Sequence, residues 1–409
     1  MNCMVKLRFA VRKFDPFEKV LQSFLGSYND LNKTSIDIEF VPLDLEELYE
    51  ELFLKKGLQS GSWDLAHINT DWITQAYEER GLHSLTNILR ENPVEDYENA
   101  WSESLTQFQN FGGDIVALPF HDGPECLVYR KDLFENPTEN EDFEKKFGRP
   151  LEIPKTWDDF LQVASFFNRP EQNLFGTILA GYPDGHNAVF DFCIQIWSRG
   201  GDLLNDKGEL SLNNPYAVQA LDFYRELFKN ADCLHPKSKV YDSVKAGEAF
   251  GNGEVAMMVN WFGFASWAQI DDNSVVRGNV DIDSIPSLTG TNPISLNVYW
   301  LTAIAEGSRH KEIAYDFLKF SVGKKQDKLV TLSGGVGCRY STWYDKEINR
   351  QIPFYTKLSD LHKKAKTLPR LSNWPAIAHI IDQVVSDSLS KEDDSYSLLS
   401  RAQHKINSL

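Results

Sequence analysis

Polar and apolar residues alternate along "VKLRFAV" (5–11), and further strand-like runs follow at "SIDIEFV" (35–41) and "WDLAHIN" (63–69). A stretch with helical spacing follows each run. Asp15-Pro16 opens the first, with Phe17, Val20, Leu21 and Phe24 on one face. The second is "LEELYEELFLKKG", expected to stop at Gly57, and the third runs from Asp71 to Glu79. This βαβαβ rhythm predicts a parallel sheet with helices on both faces.

The rhythm then changes. "DIVALPFHDGPECLVYRKDLF" (114–134) holds two short extended runs separated by Pro119, Asp122, Gly123 and Pro124, breakers that suit a crossover between domains. Thr156-x-x-Asp159, with Trp157 in the first turn, is a capping box that starts a helix. Pro215 opens another over "YAVQALDFYRELF". The run "NVYWLTAIA" (297–305) reads as a strand and "KEIAYDFLKFSV" (311–322) as the helix after it. From about residue 340 the pattern is helical, with breaks at Pro353, Pro369 and Pro375, and "SKEDDSYS" (390–397) is a polar turn.

One stretch, "GNGEVAMMVNWFGFASW" (251–267), invites two incompatible readings. Gly251-x-Gly253-x-x-Ala256, with Asp271 and Asp272 downstream, matches the dinucleotide-binding fingerprint. That fingerprint requires a strand before the glycines and a helix after them. Here the helix-like "YDSVKAGEAF" precedes and the apolar "EVAMMV" follows, so the glycines read as helix terminators. The strand then ends on Asn260 and Trp261.

Composition narrows the function. A chain of 409 residues exceeds what a single core usually holds, so two or more domain-sized units are expected. With 42% hydrophobic and 25% charged residues it has the balance of a globular protein, and no run of eighteen apolar residues suggests a membrane span. A net charge of −17 argues against nucleic acid and against an anionic membrane surface. The five cysteines include no CxxC pair, and Cys126 and Cys193 lie in apolar runs where buried thiols are usual. Cys3 follows no lipobox, and "MNCMVKLRFAV" has no signal-peptide hydrophobic region. Either an export segment was removed or the protein stays in the cell, and a cytoplasmic place stays open. Motifs for a P-loop, a zincin or a serine hydrolase are absent, the nine histidines are dispersed, and no metal or cofactor is expected.

Five segments in order resemble the extracellular solute-binding proteins of ABC importers, in the large sugar-binding branch that includes maltose-binding protein. They are "LPFHDGPECLVYRKDLFE" (118–135), "IPKTWDDFLQVA" (153–164), "GNGEVAMMVNWF", "NVYWLTAIAEGSRHKEIAYDFLKF", and "TLSGGVGCRYST" with "LPRLSNWPAI". The resemblance implies the α/β periplasmic-binding-protein fold, two α/β lobes joined by a hinge of crossing strands with a ligand cleft between them. Carried over by order, residues 1–119 and 271–328 form the first lobe, and 124–270 and 329–409 the second. Hinge crossings are expected near 119–124, 268–272 and 326–332. The implied function is a non-catalytic receptor that binds a carbohydrate by hinge closure and delivers it to the importer's membrane subunits. It implies a bacterial, extracytoplasmic protein, and a monomer is expected.

Sugars offer apolar C–H faces and rings of hydroxyls, so their sites combine aromatic platforms with short polar groups. In open α/β sheets such groups sit beyond the carboxyl ends of strands. Arg12 and Lys13 end the first strand, as hydroxyl donors or ordinary surface cations. Asp71 and Trp72 follow the third strand, where the resemblance implies a sugar-contacting acid and aromatic; Asp71 is equally suited to capping the next helix. His121 and Asp122 lie in the crossover. Asp191 and Phe192 fall in the helix "HNAVFDFCIQIWSRGG", most of whose aromatics must be core. Asn260 and Trp261 are the candidates of the second lobe, and of Tyr299 and Trp300 alternation turns only one toward solute. Arg339 follows "SGGVG", and Trp374 in "LSNWPAI" resembles a family tryptophan that stacks on sugar. Alternatives are a binder of another solute such as a polyamine, an intracellular sugar sensor, and a carbohydrate-active enzyme using Asp71 and Asp122.

Overall fold

In chain order the main strands are β1 (Lys6–Arg12), β2 (Asp37–Leu43), β3 (Leu65–Asn69), β4 (Ala117–His121), β5 (Glu125–Arg130), β6 (Phe175–Ile178), β7 (Val255–Trp261), β8 (Val280–Asp283) and β9 (Trp300–Ile304). The computed structural model describes residues 5–229 and 232–409, so Cys3 lies outside the described residues. Two compact units emerge. The first holds residues 1–123, 298–350 and 370–374; the second holds 124–297, 351–369 and 375–409.

The first unit is built on a sheet of order β2-β1-β3-β9-β4. The three N-terminal strands run parallel, as their alternation with helices predicts. All five residues of β3 are buried, the near-continuous burial expected of a strand covered on both faces. β9 enters antiparallel between β3 and β4 and hydrogen-bonds to both. It follows that β4 points the same way as β3. The helix Asp15–Asn32 covers the sheet with Phe17, Val20, Leu21 and Phe24, the face read from the sequence.

The second unit is built on a sheet of order β8-β5-β7-β6, in which only β6 and β7 are parallel. Its helices start where local chemistry says they should. Thr156 Oγ1 accepts from the Asp159 amide (3.1 Å) to open the helix Trp157–Phe167. Asn214 Oδ1 accepts from the Ala217 amide (3.0 Å) beside Pro215. The polar turn before the helix Ser395–Ile406 supplies its cap, Asp394, to the Ser397 amide (2.9 Å). The order helix Ser243–Gly251, glycine turn, β7 is the reverse of a dinucleotide loop, as the sequence indicated.

Three expectations shift. Residues 271–297, placed by order with the first lobe, include β8, which hydrogen-bonds to β5 of the second unit; the return to the first unit comes at Val298. Residues 329–350, placed with the second lobe, pack in the first, where Asp327 accepts from the amides of Cys338 and Arg339 (2.8 and 3.1 Å). The helix expected to stop at Gly57 runs as Leu45–Tyr49 and then a π-turn to Leu54, and the left-handed residue is Lys56 (φ 54°). Gly57 is needed for space instead. A Cβ there would lie 2.3 Å from the Glu51 carbonyl oxygen and 2.7 Å from the Trp63 ring.

Gly57→Ala should therefore destabilise the protein by about 1–3 kcal/mol through overpacking against backbone. Urea unfolding checks this; a variant as stable as the parent would show that the contact relaxes freely.

Candidate functional site

Because β1, β3 and β4 point the same way, their carboxyl ends share one edge of the first sheet, and antiparallel β9 begins there. Trp300 pairs in register with Asn69 on one side and His121 on the other. This edge gathers Arg12, Lys13, Asp71, Trp72, His121, Asp122 and Trp300 from four places in the sequence. Arg12 and Trp300 are half-buried and Lys13 is exposed, whereas Asp71, Trp72 and Asp122 are buried. Trp72 meets Trp300 edge-to-face at 5.9 Å and also packs on Tyr49 and Phe53, so Trp72 is a support and Trp300 the accessible ring. Of the Tyr299–Trp300 pair, Tyr299 turns inward and donates its hydroxyl to Gln109 Oε1 (3.1 Å). The Asp122 amide donates to the Val336 carbonyl (3.0 Å), tying the crossover to the glycine-rich loop.

Two histidines stand behind this edge. His67, in the middle of β3, lies among Phe9, Phe17 and Phe120, and its Nδ1 accepts from the Arg12 amide (3.3 Å). Burial first, and the neighbouring His121 second, push its pKa down to about 3. Burial likewise pushes His121 down to about 4, against the opposing pull of Asp122. Both rings are neutral at pH 7. They hold the ends of β1, β3 and β4 in apolar surroundings without adding charge.

Other residues singled out in the sequence have structural employment. Arg339 is fully buried, with its guanidinium donating to the Val322 carbonyl (2.9 Å) and to the Glu95 carbonyl, and stacked over Trp101 at 5.2 Å. Trp374 is buried at the start of the helix Trp374–Ser390, and Phe192 is buried in the helix Asn187–Ser198. Asn260 is committed locally: Nδ2 donates to the Ser243 carbonyl (3.1 Å) and Oδ1 accepts from the Trp261 amide (2.8 Å).

In the second unit the candidates that come together are Asp191 and Trp261, joined by Glu125. Glu125 and Trp261 are directly opposite on antiparallel β5 and β7, which puts both side chains on one face of the sheet. The helix Asn187–Ser198 covers that face. Phe190 meets Trp261 edge-on at 5.8 Å, and burial raises the Asp191 carboxyl to about 8. Burial and the charge of Asp191 hold Glu125 well above the usual carboxylate range. Asp184 caps this helix through the Asn187 amide (3.0 Å), and Asp382 anchors the preceding loop through the Gly185 amide (2.9 Å).

Sequence reasoning passed over Glu125, His67 and Asp382. Glu125 did carry a signal, an acid opening an otherwise apolar strand immediately after the crossover. Among the described residues, no group of three or more His, Cys, Asp or Glu is arranged to hold a metal ion, and no helix is long and apolar enough to cross a membrane.

Residues 15–328 match the family model described as bacterial extracellular solute-binding protein. The chain belongs to that family. A probable ABC transporter-binding protein of Deinococcus radiodurans is 25% identical over 65% of this chain, and the match spans 61% of that relative's length. A mannitol-binding protein of Pseudomonas aeruginosa is 22% identical over 90% of this chain and 85% of its own. Among solved structures, maltose-bound T. maritima MalE3 superposes with a TM-score of 0.86 at 22% identity, covering 98% of this chain and 99% of that one. The match shows the α/β periplasmic-binding-protein fold that the sequence resemblance implied.

The buried histidine has a stability consequence. In the unfolded chain His67 takes up a proton below about pH 6.5, but in the folded protein only near 3, so folded stability is complete above about 6.5 and falls with pH. The expected loss from this group is at most roughly 1.4 kcal/mol per pH unit between those limits. Unfolding midpoints of the parent and His67→Gln between pH 7 and pH 5 check this. The variant's midpoint should fall less steeply, and equal slopes would refute the neutral, buried assignment.

Proposed function

We propose that this protein is a non-catalytic carbohydrate receptor that delivers its solute to the membrane subunits of an ABC importer. The observation that carries the reading is the edge of the first sheet, where the half-buried Trp300 pairs with Asn69 on one side and His121 on the other, at strand ends that also carry Arg12, Asp71 and Asp122. An indole face suits the C–H face of a sugar, and the surrounding cation, acids and neutral imidazole suit its hydroxyls as donors and acceptors. Relatives whose names record mannitol and maltose as ligands share the family or the fold, which supports a sugar or polyol as solute. In this reading the protein works as a monomer outside the cytoplasm. Excluding water from around the bound solute strengthens each hydrogen bond. No bond of the solute is broken.

A thermal-shift panel of maltose, mannitol, spermidine and amino acids tests the class, because a ligand of the native state raises the midpoint. Maltose or mannitol should raise it; a shift confined to the other classes would refute the carbohydrate reading. Trp300→Ala should weaken sugar binding at least about tenfold, near 1.4 kcal/mol, with little change in the unliganded midpoint. By contrast, Arg339→Met should lower the midpoint markedly while leaving the affinity of the folded fraction unchanged, measured by calorimetric titration.

A further inference from the structure

Glu125 is 4% exposed, and its carboxyl has no hydrogen-bond donor among the described residues. Beside it, Asp191 Oδ2 is buried without a partner. Among the described residues, no lysine or arginine is paired with either acid. The lysine near this strand, Lys357, is committed to Asp281 Oδ1 and the Ile282 carbonyl, each at 2.7 Å. Glu125 is buried and Asp191 half-buried with one carboxyl oxygen enclosed, and such neighbouring acids without a cation are costly for a fold to keep, since a buried carboxylate normally has a counter-charge. Trp261, half-buried and across the strand pair from Glu125, adds an indole face, the best aromatic partner for a cation.

We propose that the second unit carries an ammonium-recognition site formed by Glu125, Asp191 and Trp261, so that the carbohydrate taken by this receptor is an amino sugar. The proposal rests on the carbohydrate reading above and adds a charge requirement to it. An ammonium brings three donors and no acceptor, the complement of two ionised carboxyls that only accept. The net charge of −17 favours the approach of such a cation.

Without ligand, burial favours the protonated form of each acid. Glu125 faces Asp191, with Cys126 and Cys193 nearby; Asp191 faces Tyr224 and Asp184, with Asp382 behind them. The basic groups around them are His186 and His379, which act on Asp382, and Lys357, which acts on Cys126. An entering R–NH3+ therefore forms its ion pair as a carboxyl O–H gives its proton to water, with one proton released for each acid ionised.

The test is titration calorimetry with three probes at mildly acidic pH: D-glucosamine, N-acetyl-D-glucosamine and spermidine. The first two share a ring and differ in charge. Glucosamine should bind at least tenfold more tightly than the N-acetyl sugar, and its apparent enthalpy should depend on the buffer's ionisation enthalpy because protons are released. In Glu125→Gln/Asp191→Asn, which preserves shape, that preference and the buffer dependence should vanish while circular dichroism stays native. Equal or tighter binding of the N-acetyl sugar, or failure of both sugars to bind, overturns the amino-sugar assignment. The former leaves the carbohydrate reading standing. Binding of spermidine alone, lost in the double variant, overturns the carbohydrate reading and keeps the ammonium site.

Discussion

The arrangement of the first unit depends on one strand. β9, Trp300–Ile304, inserts antiparallel between β3 and β4 and joins them in the sheet order. Its pairing carries the tail of the first crossover, His121 and Asp122, to the end of β3, where Asn69, Asp71 and Trp72 wait. Those residues are about fifty positions apart in sequence, and the strand that unites them comes some 180 positions later. An insertion of this kind is a long-range contact whose loop-closure cost must be met by burial. β9 meets it with four fully buried residues, Leu301 to Ile304, and leaves Trp300 as its accessible end. The same strand thus stabilises the sheet and positions the ring proposed to face solute.

The second unit solves a different problem. Antiparallel β5 and β7 place Glu125 and Trp261 side by side, and the helix Asn187–Ser198 closes over them with Phe190 and Asp191. The helix is apolar nearly all round, so the acid at its fifth position stands out energetically as well as chemically. Burial raises both carboxyls, so the pair resists ionisation until something supplies positive charge. The histidines of the first unit are displaced in the opposite sense, kept neutral by aromatic surroundings. In each unit, therefore, burial shifts titratable groups toward their uncharged forms.

Much of this was legible in the sequence. Alternation predicted β1 to β3, the capping box at Thr156 and the proline at 215 predicted helix starts, and the order of helix and strand removed the false nucleotide loop at Gly251. Arg12 and Asp71 were legible from strand ends, His121 and Asp122 from the breaker-rich crossover, and Trp300 from alternation in the returning strand. What stayed hidden depends on tertiary partners. Arg339 looked like a surface donor after a flexible loop, but its guanidinium is consumed by the Val322 and Glu95 carbonyls. Trp374 and Phe192 are aromatics whose burial no local pattern reveals. The unit boundaries near 271 and 329 moved because β8 and the Asp327 loop find partners far away in sequence. Glu125 went unnoticed because its significance comes from Trp261 and Asp191, neither of which is near it in the chain.

The central claim is that solute is gripped at the Trp300 edge of the first sheet. Hydrogen–deuterium exchange, with and without the sugar that gives the largest thermal shift, tests it directly. The account predicts added protection in the segments around Asn69–Trp72, His121–Gly123 and Val298–Trp300, above that spread through the rest of the first unit. Protection confined to other segments, with these three unchanged at saturating sugar, would contradict it.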